Sequence, residues 1–293
     1  MANSIALASK FAPILDEIYK RESLTSRLDG MTKPVEFGGV NEVKIFKTSM
    51  TGLGTYSRTT GYPAGDITGT WETIQLTQER GRAFGLDRMD NEESLGMAFG
   101  TLAGEFIRTQ VVPEVDAFRF ATYGGKSGIQ AATPASLTTA AAVLAAVDVA
   151  SAALDAAEVP FEGRLLFISS AHYRLLMAAI TRSLANESTV DRRLKKLDEL
   201  EIIQVPQGRL NTGITLDPGA TSGAGGYTST GKNINFLMMH PSARDQATKL
   251  SSLKIFSPEE NQLSDGWLFQ YRLYHDAWVY DNKLDGIYVH NVA

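Results

Sequence analysis

Apolar and polar residues alternate from Val43 to Phe46, and a second strand-like run, Ile67 to Leu76, is rich in threonine and carries Trp71. Both patterns predict β-strands. Between them lies a polar, glycine-punctuated stretch, residues 52–66. A lone two-stranded ribbon is at best marginally stable in water, so its natural support is another body, most simply a second copy of the chain. Arg82, Phe84, Leu86 and Arg88 predict a further strand. Beyond it the period becomes helical: Leu95, Phe99, Leu102, Phe106, Pro113, Ala117 and Phe120 fall near one face. Asp90 and Asn91 supply a cap, Glu92 and Glu93 suit a helix N-terminus, and Gly124 and Gly125 end the element. Pro113 lacks a backbone donor and crowds the preceding turn, which predicts a bend or break near Thr109.

The rest of the chain alternates helix and strand. Thr133 caps a helix predicted from Pro134 to Ala157, with Leu137, Leu144, Val147 and Leu154 along one face. A buried strand from Arg164 to Ser169, a helix from Ala171 to Leu184 and a strand from Leu200 to Val205, closed by Pro206, form an α/β unit. The Gly-, Ser- and Thr-rich run from Asp217 to Lys232 predicts an exposed, mobile loop. Strands are expected over Ile234 to Met239, Leu253 to Phe256, Trp267 to Tyr280 and Gly286 to His290. At the N-terminus, Ile5, Leu7, Phe11, Ile14, Leu15, Ile18, Leu24 and Leu28 among mixed charges suggest a short amphipathic helix, within an arm or as a simple core helix.

Composition narrows the function classes. The 293 residues suffice for one large or two intertwined domains with a real core. There is no cysteine, hence no disulfide framework or thiol nucleophile. Neither a secretion signal nor an apolar run long enough to span a membrane is present, so the chain is expected to be soluble and unexported. A net charge of −5 argues against the basic face of an electrostatic nucleic-acid binder.

Candidate chemistry is sparse. Gly226 to Lys232 has the spacing of a phosphate-binding loop, but Asn233 stands where a magnesium-holding Ser or Thr belongs, and the segment enters a strand. His172, His240, His275 and His290 have no metal-ligand spacing. Ser169, Ser170 and His172 are neighbours without a glycine-flanked nucleophile turn. Asp87, Asp90, Glu92 and Glu93 are explained as helix-capping residues, and Asp276, Asp281 and Asp285 as turn and surface residues. No catalytic residue, cofactor or metal site is therefore expected. Tyr56, Tyr62 and Trp71, without basic neighbours suited to bases, read as interface anchors.

The order of these parts resembles the major capsid proteins of tailed double-stranded DNA bacteriophages, with the Hong Kong 97-type fold. The stretches that carry the resemblance are TWETIQLTQERGRAFGLDRMDNEES, the helix AFGTLAGEFIRTQVVPEVDAFRF, then LEIIQVPQGRL and DGWLFQYRLYHDAWVYDNKLDGIYVH. The resemblance implies an α+β chain divided into an N-terminal arm (1–34), an extended E-loop hairpin (35–90), a peripheral domain with a spine helix (91–125 and 245–283) and an axial domain (126–244 and 284–293). It further implies a non-enzymatic shell protein of the virion, assembled in the bacterial cytoplasm as pentamers and hexamers, with a portal protein as partner. Double-stranded DNA would be enclosed without sequence-specific binding, and no membrane would be involved. Leu53, Tyr56, Arg58, Tyr62, Asp66 and Trp71 are the expected intersubunit contacts, and Pro113 the helix bend.

Two departures from the family pattern matter. Thr48 to Glu72 contains no lysine, so the covalent cross-link some members form is not expected. No long charged helical segment precedes the arm, which implies a separate scaffolding protein or none. Within the same fold the alternative is an encapsulin-like nanocompartment; outside it, a nucleotide-binding enzyme using Lys232.

Overall fold

The computed structural model describes residues 23–29, 42–89, 103–181, 196–197, 200–219, 225–262 and 264–293. The N-terminal positions Ile5 to Ile18, the capping residues Asp90 to Glu93, the apolar positions Leu95, Phe99 and Leu102, and the end of the helix expected to reach Leu184 lie outside them; Leu24 and Leu28, expected on the same amphipathic helix, lie in a segment whose only helical part is the short 3-10 turn Ser26–Leu28. In chain order the elements begin with β1 (Glu42–Met50), β2 (Ile67–Gln75) and β3 (Gln78–Asp87). Next come α1 (Val112–Gly125), β4 (Gln130–Ala131), α2 (Ala140–Ala156), β5 (Leu165–Ser169) and α3 (Ser170–Thr181). Then follow β6 (Lys196–Leu197), β7 (Leu200–Val205), β8 (Ile214–Leu216), β9 (Tyr227–Ser229) and β10 (Ile234–Met239). The chain closes with β11 (Arg244–Phe256), β12 (Gly266–Val279) and β13 (Ile287–Asn291).

A mixed six-stranded sheet, β4-β13-β10-β5-β7-β6, has apolar residues on both faces because both are covered. Leu166, Ile168, Phe236 and Met238 meet Val143, Val147, Leu154 and Leu176 of α2 and α3 on one side. On the other, Phe167, Leu237, Met239 and Val289 meet Phe120 and Tyr123 of α1. A second sheet, β11-β12-β3, presents Phe269, Tyr271 and Leu273 to the first half of the same long helix. The helix thus bridges both cores.

Its register explains how. Buried positions run Ala103, Ile107, Val111 at intervals of four and then restart at Val112 and Val115, one residue out of phase. That extra residue is accommodated by a π-helical stretch, Ile107–Val111, ending two residues before Pro113. Thr109 Oγ1 donates to the Glu105 carbonyl at 2.7 Å, a side-chain bond that competes with the regular backbone ladder.

A short strap, residues 23–29, crosses this helix. Buried Asp116 of α1 accepts from Ser23 Oγ (2.8 Å), Leu24 N (3.0 Å), Thr25 Oγ1 (2.6 Å) and Thr25 N (3.3 Å). Arg209 adds a guanidinium contact at 3.3 Å, and the Leu28 side chain is fully buried in the core.

Three expectations change. The helix predicted from Pro134 begins at Ala140, because Thr139 Oγ1 is the actual cap, accepting from Ala142 N at 3.3 Å. Upstream, Ala132 N and Ala135 N donate to Val289 and Asn291 carbonyls, so the chain follows β13 before turning helical. The run from Asp217 to Lys232 is not all loop: β9 within it pairs with β8 from Ile214↔Ser229 to Leu216↔Tyr227. The strand expected at Leu253 begins nine residues earlier, at Arg244, since buried polar Arg244, Asp245 and Gln246 hide its apolar signature.

Candidate functional site

β1 and β2 form a ribbon separate from both sheets, in antiparallel register from Glu42↔Gln75 to Met50↔Ile67. Alternation gives it two unlike faces. Val43, Ile45, Ile74 and Leu76 pack at its root against Trp278, Ala247, Tyr274 and Tyr280. On the opposite face Phe46 pairs with Trp71, ring centroids 5.0 Å apart, and Met50 with Ile67. Phe46 is 49% and Trp71 66% exposed, and Met50 and Ile67 are more exposed still. Each large apolar side chain left in water forgoes about 1.5–3 kcal/mol relative to burial. The Phe46 ring also lies over Gly69, where a Cβ would stand 2.5 Å from Cζ.

The tip is a small hydrogen-bonded turn. Ser57 and Gly61 exchange backbone bonds at 3.2 and 2.8 Å, while Ser57 Oγ accepts from Thr59 N and Thr60 N at 3.2 Å. Gly61 takes φ +82°, a conformation open to glycine at no steric cost. Tyr56 and Tyr62 flank the turn with rings 4.9 Å apart, Tyr62 being 88% exposed. Leu53 is fully exposed, and Arg58 is exposed beside it in the same loop.

Of the expected contact residues, then, Leu53, Tyr56, Arg58 and Tyr62 share the tip. Asp66 lies at the foot of the loop, its backbone paired with Thr51, and Trp71 lies on the strand face. Pro113 is on α1, apart from the ribbon. Phe46, Met50 and Ile67 share the exposed face of Trp71, a parity across the hairpin that the sequence reading did not single out. Arg80 forks onto Glu114 of its own chain at 2.7 and 3.2 Å.

Charge fastens the root. Lys47 Nζ contacts both Glu72 and, at 3.4 Å, Asp281, whose other oxygen lies 2.9 Å from Lys126 Nζ. The hydrogen bond from Lys126 holds the Asp281 carboxyl below the usual carboxylate range, and that with Glu72 raises the Lys47 ammonium.

The polar candidates are structural in their surroundings. Ser169 Oγ lies 2.6 Å from His172 Nδ1 at the β5–α3 junction, but Ser169 is fully buried. Asp276, expected on the surface, is buried because Thr77 N and Oγ1 bond to it at 2.7 and 2.9 Å. In the loop before Lys232, the amides of Thr230 and Gly231 donate to Gly213 and that of Lys232 to Thr212 Oγ1, which leaves them turned inward rather than toward a phosphate. Among the described residues no three His, Asp or Glu side chains gather as a metal site, and no helix is long and apolar enough to cross a membrane.

A mixed sheet covered by helices on both faces and an antiparallel sheet, bridged by one long helix and carrying a projecting ribbon, make up the Hong Kong 97-type capsid fold. No family model and no curated protein sequence matches the chain. It is similar to the capsid structure of the cyanophage P-SCSP1u, with a TM-score of 0.63 and 13% identity over 89% of this chain and 86% of that one. The mature capsid of bacteriophage PhiM1 gives a TM-score of 0.61 and 11% identity over 91% and 86% of the two chains. A virus-like particle from Pyrococcus furiosus gives 0.57 and 10% over 96% and 98%.

Proposed function

We propose that the chain is a major capsid protein that assembles through pentamers and hexamers into an icosahedral shell around phage double-stranded DNA. The observation that carries this reading is the ribbon, anchored at its root and uncovered over one entire apolar face and its tip. Head-to-tail contacts that close into rings would cover it with a neighbouring copy. Leu53, Tyr56, Tyr62 and Trp71 then supply contact area, and Arg58 and Asp66 pair across subunits. In this assignment residues 1–34 are the arm, 35–90 the E-loop, 91–125 and 245–283 the peripheral domain, and 126–244 and 284–293 the axial domain. The six-stranded sheet with α2 and α3 supports the axial part, and β11-β12-β3 with α1 the peripheral part.

A portal protein and a separate scaffolding protein are the other partners, assembly takes place in the host cytoplasm, and the mature location is the virion. A net charge of −5 suits a container that confines DNA without gripping its sequence. The π stretch beside Pro113 is where the spine helix changes curvature as a precursor shell matures; identical helix shapes in the two states would refute that part.

Electron microscopy of the purified, expressed protein tests the main reading. Closed shells are expected, and discrete monomers under every assembly condition, scaffold included, would sink it. The likeness to the virus-like particle over nearly its whole length favours one other reading, an encapsulin-like compartment. Shells enclosing a bound enzyme and no DNA in the native host would establish that alternative.

A further inference from the structure

Beside the π-helical stretch, a cavity of about 460 Å³ opens between α1, β3, β12 and the ends of the β8–β9 hairpin. Phe84, Phe106, Val111, Tyr271 and Leu273 make its walls apolar and largely aromatic. The Arg80–Glu114 fork lines one side and is held further by a 3.2 Å bond from Arg80 to the Gly226 carbonyl. The volume lies within the roughly 300–1,000 Å³ of sites that hold ring-sized groups. An open cavity of this kind leaves its wall atoms without packing partners.

The same chain carries the matching shape elsewhere. Tyr56 and Tyr62 form a two-ring knob on the ribbon tip with no wall around it. Charge does not oppose the match: of the lining carboxylates Glu105 is forked by Arg108 and Glu114 by Arg80, which leaves the walls close to neutral, while Arg58 is the sole charged side chain of residues 51–65. We infer that the tyrosine knob of one copy seats in this cavity of a neighbouring copy, with Arg58 left at its mouth. The inference rests on the shell reading and gives the ribbon a specific receptor. A seated knob wedges the spine helix against β3 and β12 at the π stretch, so that occupancy in one subunit is felt in the helix of the next.

Because the chain has no cysteine, disulfides can be placed without background. Thr60→Cys beside the knob is combined with Gln110→Cys or Thr109→Cys at the cavity, and with Ala152→Cys on the exposed side of α2 as a control. Oxidised shells of at least one cavity pair should give a ladder of linked chains on a non-reducing gel, and the control should not. Intact shells in which both cavity pairs stay unlinked, link only within single chains, or link no better than the control overturn the inference. No shell with the parent chain refutes the shell reading itself, and this inference with it. A second measurement uses Tyr62→Ala and Leu273→Trp, which fills the cavity. Each should lower the denaturant midpoint of shell dissociation, and the pair should lower it no further than the larger single effect; full additivity would also overturn the proposal.

Discussion

Thr25 Oγ1 donates a 2.6 Å hydrogen bond to Asp116 Oδ1 across 91 residues of sequence, and both side chains are fully buried. Around it Ser23, Leu24 and Arg209 direct their donors at the same carboxylate. The strap is therefore fastened to α1 by polar contacts that have no water to replace them. Removing the acceptor should leave the buried Ser23 and Thr25 donors unpaired and take the partner from half-buried Arg209. Asp116→Ala is expected to cost about 3–5 kcal/mol, read as a lowered urea midpoint of the unassembled protein. A loss under about 1 kcal/mol would show that the strap holds chiefly through Leu28.

Trp71 separates folding from association. Its ring touches Phe46 but is mostly in solvent, so Trp71→Ala should change the stability of the unassembled chain by about 0.5–1.5 kcal/mol. Shell formation should suffer far more. In the parent protein tryptophan emission should shift to the blue on assembly as Trp71 is covered, and an unchanged spectrum would place the ribbon's apolar face in solvent in the shell as well.

His275 supplies an acid limb. Burial, then the Arg119 and Arg80 charges, lower its pKa from 6.5 to about 3. The folded chain thus keeps the imidazole neutral while the unfolded chain takes up a proton. Its contribution is complete above pH about 6.5 and is lost as pH falls toward about 3, at up to about 1.4 kcal/mol per pH unit. His275→Phe keeps a ring against Phe118 and cannot titrate, so denaturant midpoints measured across that window should fall less steeply with acid.

Lys232 is exposed at the end of a turn whose amides are spent within the chain. Lys232→Ala should alter stability by no more than about 0.5 kcal/mol and leave assembly intact. Calorimetry with adenosine and guanosine triphosphates should give no binding heat for the parent chain. A saturable heat that Lys232→Ala abolishes would restore the nucleotide-binding reading.

The ribbon, β5, β7, β10, β12 and β13 were legible because their apolar pattern is set by burial the strand itself reports. The start of β11 was not: Arg244, Asp245 and Gln246 are buried through partners such as Leu28, Tyr280 and Tyr123, which are distant in sequence. The start of α2 was misplaced because Pro134 and Thr133 form a good local cap signal, which pairing with β13 overrides. At the candidate site, the tip residues could be named individually. The joint of Lys47, Glu72, Asp281 and Lys126 could not, since it joins charges from three separate parts of the chain.

That joint has a mechanical consequence. Nine residues per strand make the ribbon about 30 Å long from its root to the start of the tip loop, so a tilt of about 10° at the root carries the far end through about 5 Å. Exposed ion pairs of this kind are worth only about 0–1 kcal/mol each and weaken in salt. In the proposed shell the charged joint can therefore re-form at a changed angle about the buried Val43 and Leu76 anchor while the contacts at the far end stay unchanged. Subunits in flat and in sharply curved parts of that proposed shell can then share a single set of contacts, the difference in angle being absorbed where the lever meets the body.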